Sequence, residues 1–291
     1  MSVKNPNSST FRLKSYSGKR FNDTVLNNLD HLLSILKFNK KNNIYFFRIS
    51  SGIIPFASHP VCDKDWTDIF KAKLMEVGDF INNNDIRVSM HPDQFVILNS
   101  KNEDIVINSI RELEYHCELL DSMNLPYDAK IQIHGGGVYG DKEIAKKKFI
   151  YNYHKFVHEN LKKRLAIEND DRSYSLKDCL EINAETGIPM VFDTLHHEGP
   201  NDGETIIQAI SSFVKSWDRP IEGNPIIDYS SQSMGERKGK HAKTLDKNHF
   251  IHTYNEVKKS AKENKVDTDI MLDIKDKEKS ALLALSMIKN V

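Results

Sequence analysis

The sequence predicts an α/β protein, a (β/α)8 barrel whose first strand is missing or truncated. Two observations carry this expectation. Seven short apolar, β-rich runs alternate with longer segments of helical period, the pattern of a parallel sheet with right-handed crossovers. Six successive runs then stop on His, Asp or Glu, at the carboxyl ends that converge on one mouth in a barrel.

Taken in order, residues 1–20 are basic, Ser-rich and free of acids, with no amphipathic face, and read as an irregular or mobile start. Phe21–Phe38 carries Val25, Leu26, Leu29, Leu32, Leu33 and Leu36 at spacings of three and four, one apolar stripe of a helix. The first strand run is Asn43–Ser50, and no strand precedes the helix before it. Ile86–Met90 follows, then Ser100-Lys101-Asn102-Glu103, which reads as a capping box opening a long helix. Ala129–His134 and Arg164–Glu168 are the next strands. Ser175–Asp178 reads as a second capping box, for a helix through Thr186 that stops at Gly187 with Pro189 beyond. Pro189–Asp193, Pro225–Tyr229 and Asp269–Ile274 complete the strands. Near-continuous apolar runs suit a sheet buried on both faces. Eight helix segments lie among these strands, and no Pro/Gly/Ser-rich linker divides the chain, so residues 1–291 read as one domain.

Composition narrows the function. Of 291 residues, 39% are hydrophobic and 28% charged, which excludes collagen, low-complexity disorder and a membrane bundle. No apolar run reaches the roughly 20 residues of a membrane span. Lys+Arg 41 balances Asp+Glu 41, so any nucleic-acid contact must be a local patch. Cys62, Cys117 and Cys179 form no CxxC pair, which argues against a zinc ribbon and fits idle thiols in the cytoplasm.

The strand ends carry the chemistry. The runs stop at His91, His134, Glu168, Asp193 (with His196 close behind), Asp228 and Asp273. A single His at a strand end is usually a hydrogen-bonded rim or core residue. Six such groups on one mouth read as a metal centre. Imidazole and carboxylate without thiolate suit Mn2+, Zn2+ or Fe2+ with open positions. Two ions about 3.5–4 Å apart are the arrangement used for phosphodiester cleavage. His59 and His241 lie in loops that reach the same end, while His197 ranks below His196. Gly135-Gly136-Gly137 beside His134 marks a backbone passing close to something bulky.

These motifs resemble the UV-damage endonucleases. The resemblance rests on Ile54–Pro60 (IPFASHP), His91-Pro92-Asp93-Gln94-Phe95 with Leu98-Asn99-Ser100, and His134–Gly140 (HGGGVYG). It continues through Glu168–Asp171 (ENDD), Phe192–His197 (FDTLHH), Ser231-Gln232 and Lys240-His241-Ala242. It runs in order from about Phe11 to Lys279.

The resemblance implies a TIM barrel related to endonuclease IV and the xylose-isomerase-like group. It implies a monomeric, cytoplasmic repair enzyme that nicks double-stranded DNA 5′ to pyrimidine dimers, 6-4 photoproducts and some other lesions, including abasic sites. It further implies two or three divalent ions, manganese first, with magnesium or zinc as alternatives. Carried over residue by residue, His59, His91, His134, Glu168, Asp193, His196, Asp228, His241 and Asp273 hold the ions. Glu168, His91, His134 and His241 are the catalytic set, with Glu168 bridging. Gln94 and Phe95 enter the duplex at the lesion, and Tyr139 is placed among the DNA contacts. Apart from the resemblance, the basic loop with Lys238 and Lys240 reads either as a phosphate contact or as a solvated charge run. Some relatives have His where this chain has Asp228, Glu where it has Asp273, and Lys where it has Ile226. Relatives begin with a short strand, and this sequence starts within the loop that follows it. Either the start is misassigned or the barrel closes around a gap. The alternatives are a sugar isomerase-like barrel, which has no use for an exposed Gln94-Phe95 pair, and a catalytically impaired lesion-binding barrel.

Overall fold

The structure is a computed structural model that describes residues 8–199 and 201–289. Its centre is a parallel sheet of seven strands in sequence order. They are β1 (Phe46–Ile49), β2 (Arg87–Met90), β3 (Lys130–His134), β4 (Leu165–Glu168), β5 (Met190–Asp193), β6 (Ile226–Tyr229) and β7 (Asp269–Leu272). Each lies within an apolar run read from the sequence. The register is set so that strand ends meet: His134 pairs with Glu168, and Asp193 with Asp228.

The sheet curls until β7 approaches β1, but among the described residues these two strands share no ladder. Their exposure follows from this. β4, β5 and β6 are buried throughout, whereas β1 and β7 each bury one residue in four. A cavity of about 730 Å3 flanks this seam, walled by Leu32, Ile35, Phe47, Ile270, Leu285 and Ile288. Among the described residues the barrel thus has seven strands, with a seam between β1 and β7.

Eight helices of two turns or more surround the sheet among the described residues: Gly18–Lys41, Lys71–Asn82, Glu103–Ser122, Lys142–Phe156, Leu176–Thr186, Ile206–Phe213, Lys247–Asn264 and Glu278–Ile288. The first begins at Gly18, because the Ser17 side chain caps it by accepting from the Arg20 N–H. Residues 8–17, expected to be irregular, are tied down. Phe11 and Tyr16 pack against Phe56, and the Ser9 N–H donates to Asn28 Oδ1 at 2.8 Å. The expected box at Ser100–Glu103 is corrected: Asn102 is the cap, its Oδ1 accepting from the Asp104 N–H at 2.9 Å. Asn caps as well as Ser, and it lies at the residue before the first turn. The Ser175/Asp178 box forms as expected, and the helix ends at Gly187 with φ 72°.

The amino ends of the strands are closed by buried charge. Arg87 on β2 reaches Asp269 on β7 at 2.6 Å, and Lys130 on β3 pairs with Glu222 at 2.7 Å. Ionic pairs plug this end, leaving the carboxyl ends as the open mouth.

Candidate metal centre and nucleic-acid interface

Glu168, the last residue of β4, is the hub of the mouth. It is only 2% exposed. Its Oε2 lies 3.1 Å from His91 Nε2 and 3.9 Å from His134 Nε2, and its Oε1 lies 3.7 Å from His196 Nδ1. Burial works against its ionisation. The neighbouring imidazoles of His134, His91 and His196 outweigh burial and hold the carboxyl well below the ordinary range. Asp193, the last residue of β5, behaves oppositely: burial pushes its carboxyl well above that range, with His196 offsetting only part.

Four imidazoles form an arc over these carboxylates. Successive ring centroids are 5.1 Å apart for His91 and His134, 6.0 Å for His134 and His196, and 5.8 Å for His196 and His241. Three of the four are oriented by the backbone. Nδ1 of His91 donates to the Pro92 carbonyl at 3.0 Å, that of His196 to Asn169 at 2.9 Å, and that of His241 to Asp273 at 3.1 Å. A carbonyl only accepts, so Nδ1 carries a proton, which makes Nε2 the nitrogen available to a metal in the neutral ring. Metal-ligating histidines are oriented in this way.

The donor set fits divalent ions. Ligand-type atoms of His91, His134 and Glu168 lie within 4.8 Å of one another, as do those of Asp193, His196 and His241, and those of Glu168, Asp193 and Asp228. Asp193 Oδ2, Asp228 Oδ1 and His134 Nδ1 are buried without a hydrogen-bond partner. Buried carboxylate oxygens left in this state are costly unless a cation meets them. A further acidic group, Glu143, Asp178 and Glu181, lies on helices away from the mouth and is already occupied by ammonium groups: Lys146 pairs with all three, and Lys142 with Asp178.

Three expected ligands stand differently. His59 is exposed and outside the arc, and its Nδ1 accepts from the Val61 N–H at 3.0 Å, which leaves the proton on Nε2 in the neutral ring. Asp228 is in the cluster, but its Oδ2 is taken by Arg48 Nη2 at 2.5 Å and by Gln132 Nε2 at 2.7 Å. Asp273 sits at the rim, its side chain 46% exposed, with Oδ2 3.6 Å from both Arg48 Nη1 and His241 Nδ1. His197 is buried away from the arc, with Nε2 donating to the Glu204 carbonyl at 3.2 Å.

Sequence reasoning missed Arg48 and Gln132. Gln132 donates to both Glu168 Oε2 (2.9 Å) and Asp228 Oδ2, spacing the two carboxylates. It lies two residues before His134 and therefore shares its face, a signal the sequence did contain.

The loop from His91 carries the exposed pair Gln94 and Phe95, and Phe95 is 76% exposed. Its base is fixed: Ser51 Oγ donates to the His91 carbonyl at 2.8 Å, and Asn152 Nδ2 donates to that of Leu98 at 2.6 Å. Asn99 Nδ2 donates to the Gly137 carbonyl at 2.7 Å and to the Tyr174 hydroxyl at 2.8 Å, joining this loop to the one after β3. Two of the three glycines are thereby explained. A Cβ on Gly135 would lie 2.7 Å from the Tyr174 ring, and one on Gly136 (φ +86°) would lie 2.3 Å from Asn99 Oδ1. Tyr139 is half-exposed beneath the Lys101 ammonium, 5.5 Å from its ring centre. Lys238 is exposed, whereas Lys240 pairs with Glu236 at 2.7 Å. In the same loop Arg237 pairs with Asp171 at 2.6 Å.

Known proteins resemble this chain in sequence and fold. The family model described as UV-endonuclease UvdE matches residues 6–290. The UV DNA damage endonuclease of Clostridium perfringens is 43% identical over 280 residues, 96% of this chain and 66% of that protein, so this chain spans just under two thirds of that relative's length. The UV DNA damage endonuclease of Bacillus cereus strain G9842 is 32% identical over 254 residues, 87% of this chain and 78% of that protein. Among solved structures, that of SacUVDE superposes with a TM-score of 0.90 at 45% identity, covering 97% of this chain and 93% of that one. Endonuclease IV from Thermus thermophilus matches with a TM-score of 0.62 at 13% identity, covering 89% of this chain and 95% of that one, which shows a shared fold. With residues 6–290 matched by the family model and the barrel superposing on that of SacUVDE, the chain belongs to the UV-endonuclease UvdE family.

Proposed function

We propose that this chain is a metal-dependent endonuclease that nicks double-stranded DNA on the 5′ side of pyrimidine dimers and 6-4 photoproducts, and also at abasic sites. The observation that carries the reading is the convergence of His91, His134, Glu168, Asp193, His196 and His241 at the mouth, joined by a fixed loop to an exposed aromatic ring. The residues His91, His134 and Glu168 would hold one divalent ion, and Asp193, His196 and His241 another. Asp228 would supply one further oxygen. Manganese is the first candidate, since nitrogen and oxygen donors without thiolate suit it, with magnesium or zinc as alternatives. Such ions lower the pKa of water and neutralise phosphate charge.

The remaining work falls to the chain itself. Gln132 holds Glu168 and Asp228 at a fixed separation, and the Nδ1-to-carbonyl bonds fix the orientation of three imidazoles, His91 with its Nε2 turned to Glu168. Glu168 stays ionised, so its two oxygens are available on both sides. Gln94 and Phe95 would enter the duplex where damaged bases are already unstacked, a step that costs least at a lesion. Tyr139 and Lys238 would face the phosphates, and Lys240 would do so after leaving Glu236. We read residues 1–291 as one monomeric unit acting in the cytoplasm. No helix among the described residues is long and apolar enough to cross a membrane, and three free cysteines fit a reducing compartment.

The test is nicking of a duplex with one defined pyrimidine dimer, in Mn2+ and in EDTA. Incision 5′ to the dimer in Mn2+ alone, leaving a 3′-hydroxyl and a 5′-phosphate, is expected. Lesion binding without incision in any of the three metals would refute the proposal.

A further inference from the structure

Among the described residues, Arg48 is the one guanidinium that enters the carboxylate cluster, and the reading above gives it no task. It points from β1 across the seam to the mouth. Nη2 lies 2.5 Å from Asp228 Oδ2, and Nη1 lies 3.6 Å from Asp273 Oδ2. Asp228 is 1% exposed, and its Oδ2 also accepts from Gln132 at 2.7 Å. Both donors therefore fall on the same oxygen, and the other, Oδ1, is buried with no partner. Asp228 lies in the group formed with Glu168 and Asp193, which among the described residues is the one group at the mouth made of carboxylates alone, and Oδ1 is the oxygen it has left to offer. The two imidazole-containing groups do not include Asp228.

Guanidinium is charged at every accessible pH. A divalent ion on Oδ1 would share one small carboxylate with a guanidinium already on Oδ2. Like charges at that spacing repel strongly where water is scarce. The same guanidinium fixes the Asp228 rotamer, so a chelating two-oxygen grip is not available.

We propose that Arg48 is a positioning residue that restricts Asp228 to one offered oxygen and makes the Glu168–Asp193–Asp228 position the weakest of three metal positions, leaving two tightly held ions and one exchangeable ion. This rests on the metal-centre reading above. Removing the positive charge should tighten the third position, because a repelling neighbour is lost and a second oxygen is freed. The other two positions, which do not use Asp228, should change little.

The experiment is equilibrium dialysis of the metal-free full chain against Mn2+, with bound ion counted by mass spectrometry and free ion by electron paramagnetic resonance. The wild type should bind two ions tightly and a third at least tenfold more weakly. Arg48→Met should bind the third at least tenfold more tightly than the wild type does. Arg48→Lys keeps the charge and should leave the third weak. Should Arg48→Met fail to fold, Asp228→Asn decides: it should keep both tight ions and lose the weak one. Unchanged or weaker third-ion binding in Arg48→Met, or loss of a tight ion in Asp228→Asn, overturns the assignment to Arg48. A wild type that binds no Mn2+ defeats the metal-centre reading itself, and so is told apart from failure of this inference.

Discussion

Truncating Phe95 to alanine separates lesion recognition from metal binding. The ring is 76% exposed, so only about a quarter of its surface contributes to the fold. Full burial of such a side chain is worth about 1.5–3 kcal/mol, so the truncation should cost folding less than about 1 kcal/mol. Against DNA the same ring has more to lose, since base–aromatic stacking is worth about 1–3 kcal/mol per base. At about 1.4 kcal/mol per factor of ten, lesion affinity should fall roughly 5- to 150-fold. Phe95 has no ligand atom, so Mn2+ content should stay at the wild-type level. His91→Ala should do the reverse, keeping lesion preference while losing incision, because His91 Nε2 faces Glu168 at 3.1 Å. The assay is the ratio of damaged to undamaged duplex affinity at one fixed salt concentration, because phosphate contacts alone vary steeply with salt. A ratio unchanged in Phe95→Ala, with a normal circular dichroism spectrum, would remove the ring from recognition.

The other predictions concern the metal centre and the loops beneath it. Glu168→Gln keeps shape but removes the charge shared by two of the three groups, so incision and Mn2+ content should both fall, and near-normal turnover would sink the bridging role. Because burial raises the Asp193 carboxyl, the metal-free fold binds more protons there than the unfolded chain, whose value is about 3.9. That contribution to stability is present below the unfolded value and fades as pH rises through the folded one, so thermal stabilisation by Mn2+ should grow with pH above the ordinary carboxylate range. A Mn2+-induced melting shift that is flat between about pH 5 and pH 8 would contradict this. Gly136→Ala combines φ +86° with a Cβ 2.3 Å from Asn99 Oδ1. It should destabilise by at least about 2 kcal/mol in urea, and a neutral result would mean the loop after β3 can shift.

The strands were legible because the central ones are buried on both faces and so stand out as apolar runs between helical segments. β1 and β7 were read as readily as the fully buried strands, although both border the seam. The capping signal at Ser100 misled because Ser and Asn are equally good caps two residues apart, and only the geometry selects Asn102. The mouth was legible where a ligand-type residue ends a strand, as at His134, Glu168 and Asp193. It was less so where a loop supplies the residue. A motif places His59 in sequence but not in space, and its exposed turn leaves it outside the arc. Tyr174, the bulky neighbour of the glycines, comes from a segment 39 residues beyond Gly135, and no local period links them. Arg48 was hidden by its company, one cation inside an aromatic and aliphatic strand.

The seam between β1 and β7 has a consequence for how the barrel stays shut. A complete barrel closes on itself by backbone pairing, which is indifferent to what fills its mouth. Here, among the described residues, guanidinium clasps cross the opening where a ladder would otherwise run: Arg48 to Asp228 near the carboxyl end and Arg87 to Asp269 near the amino end. The lower clasp is remote from the mouth and stays constant. The upper one shares Asp228 with the carboxylate cluster, so whatever loads that cluster also pulls on the latch. Amide protons along the free edges of β1 and β7 should then exchange with solvent at a rate set by the occupancy of the mouth, and the cylinder would breathe in step with its own chemistry.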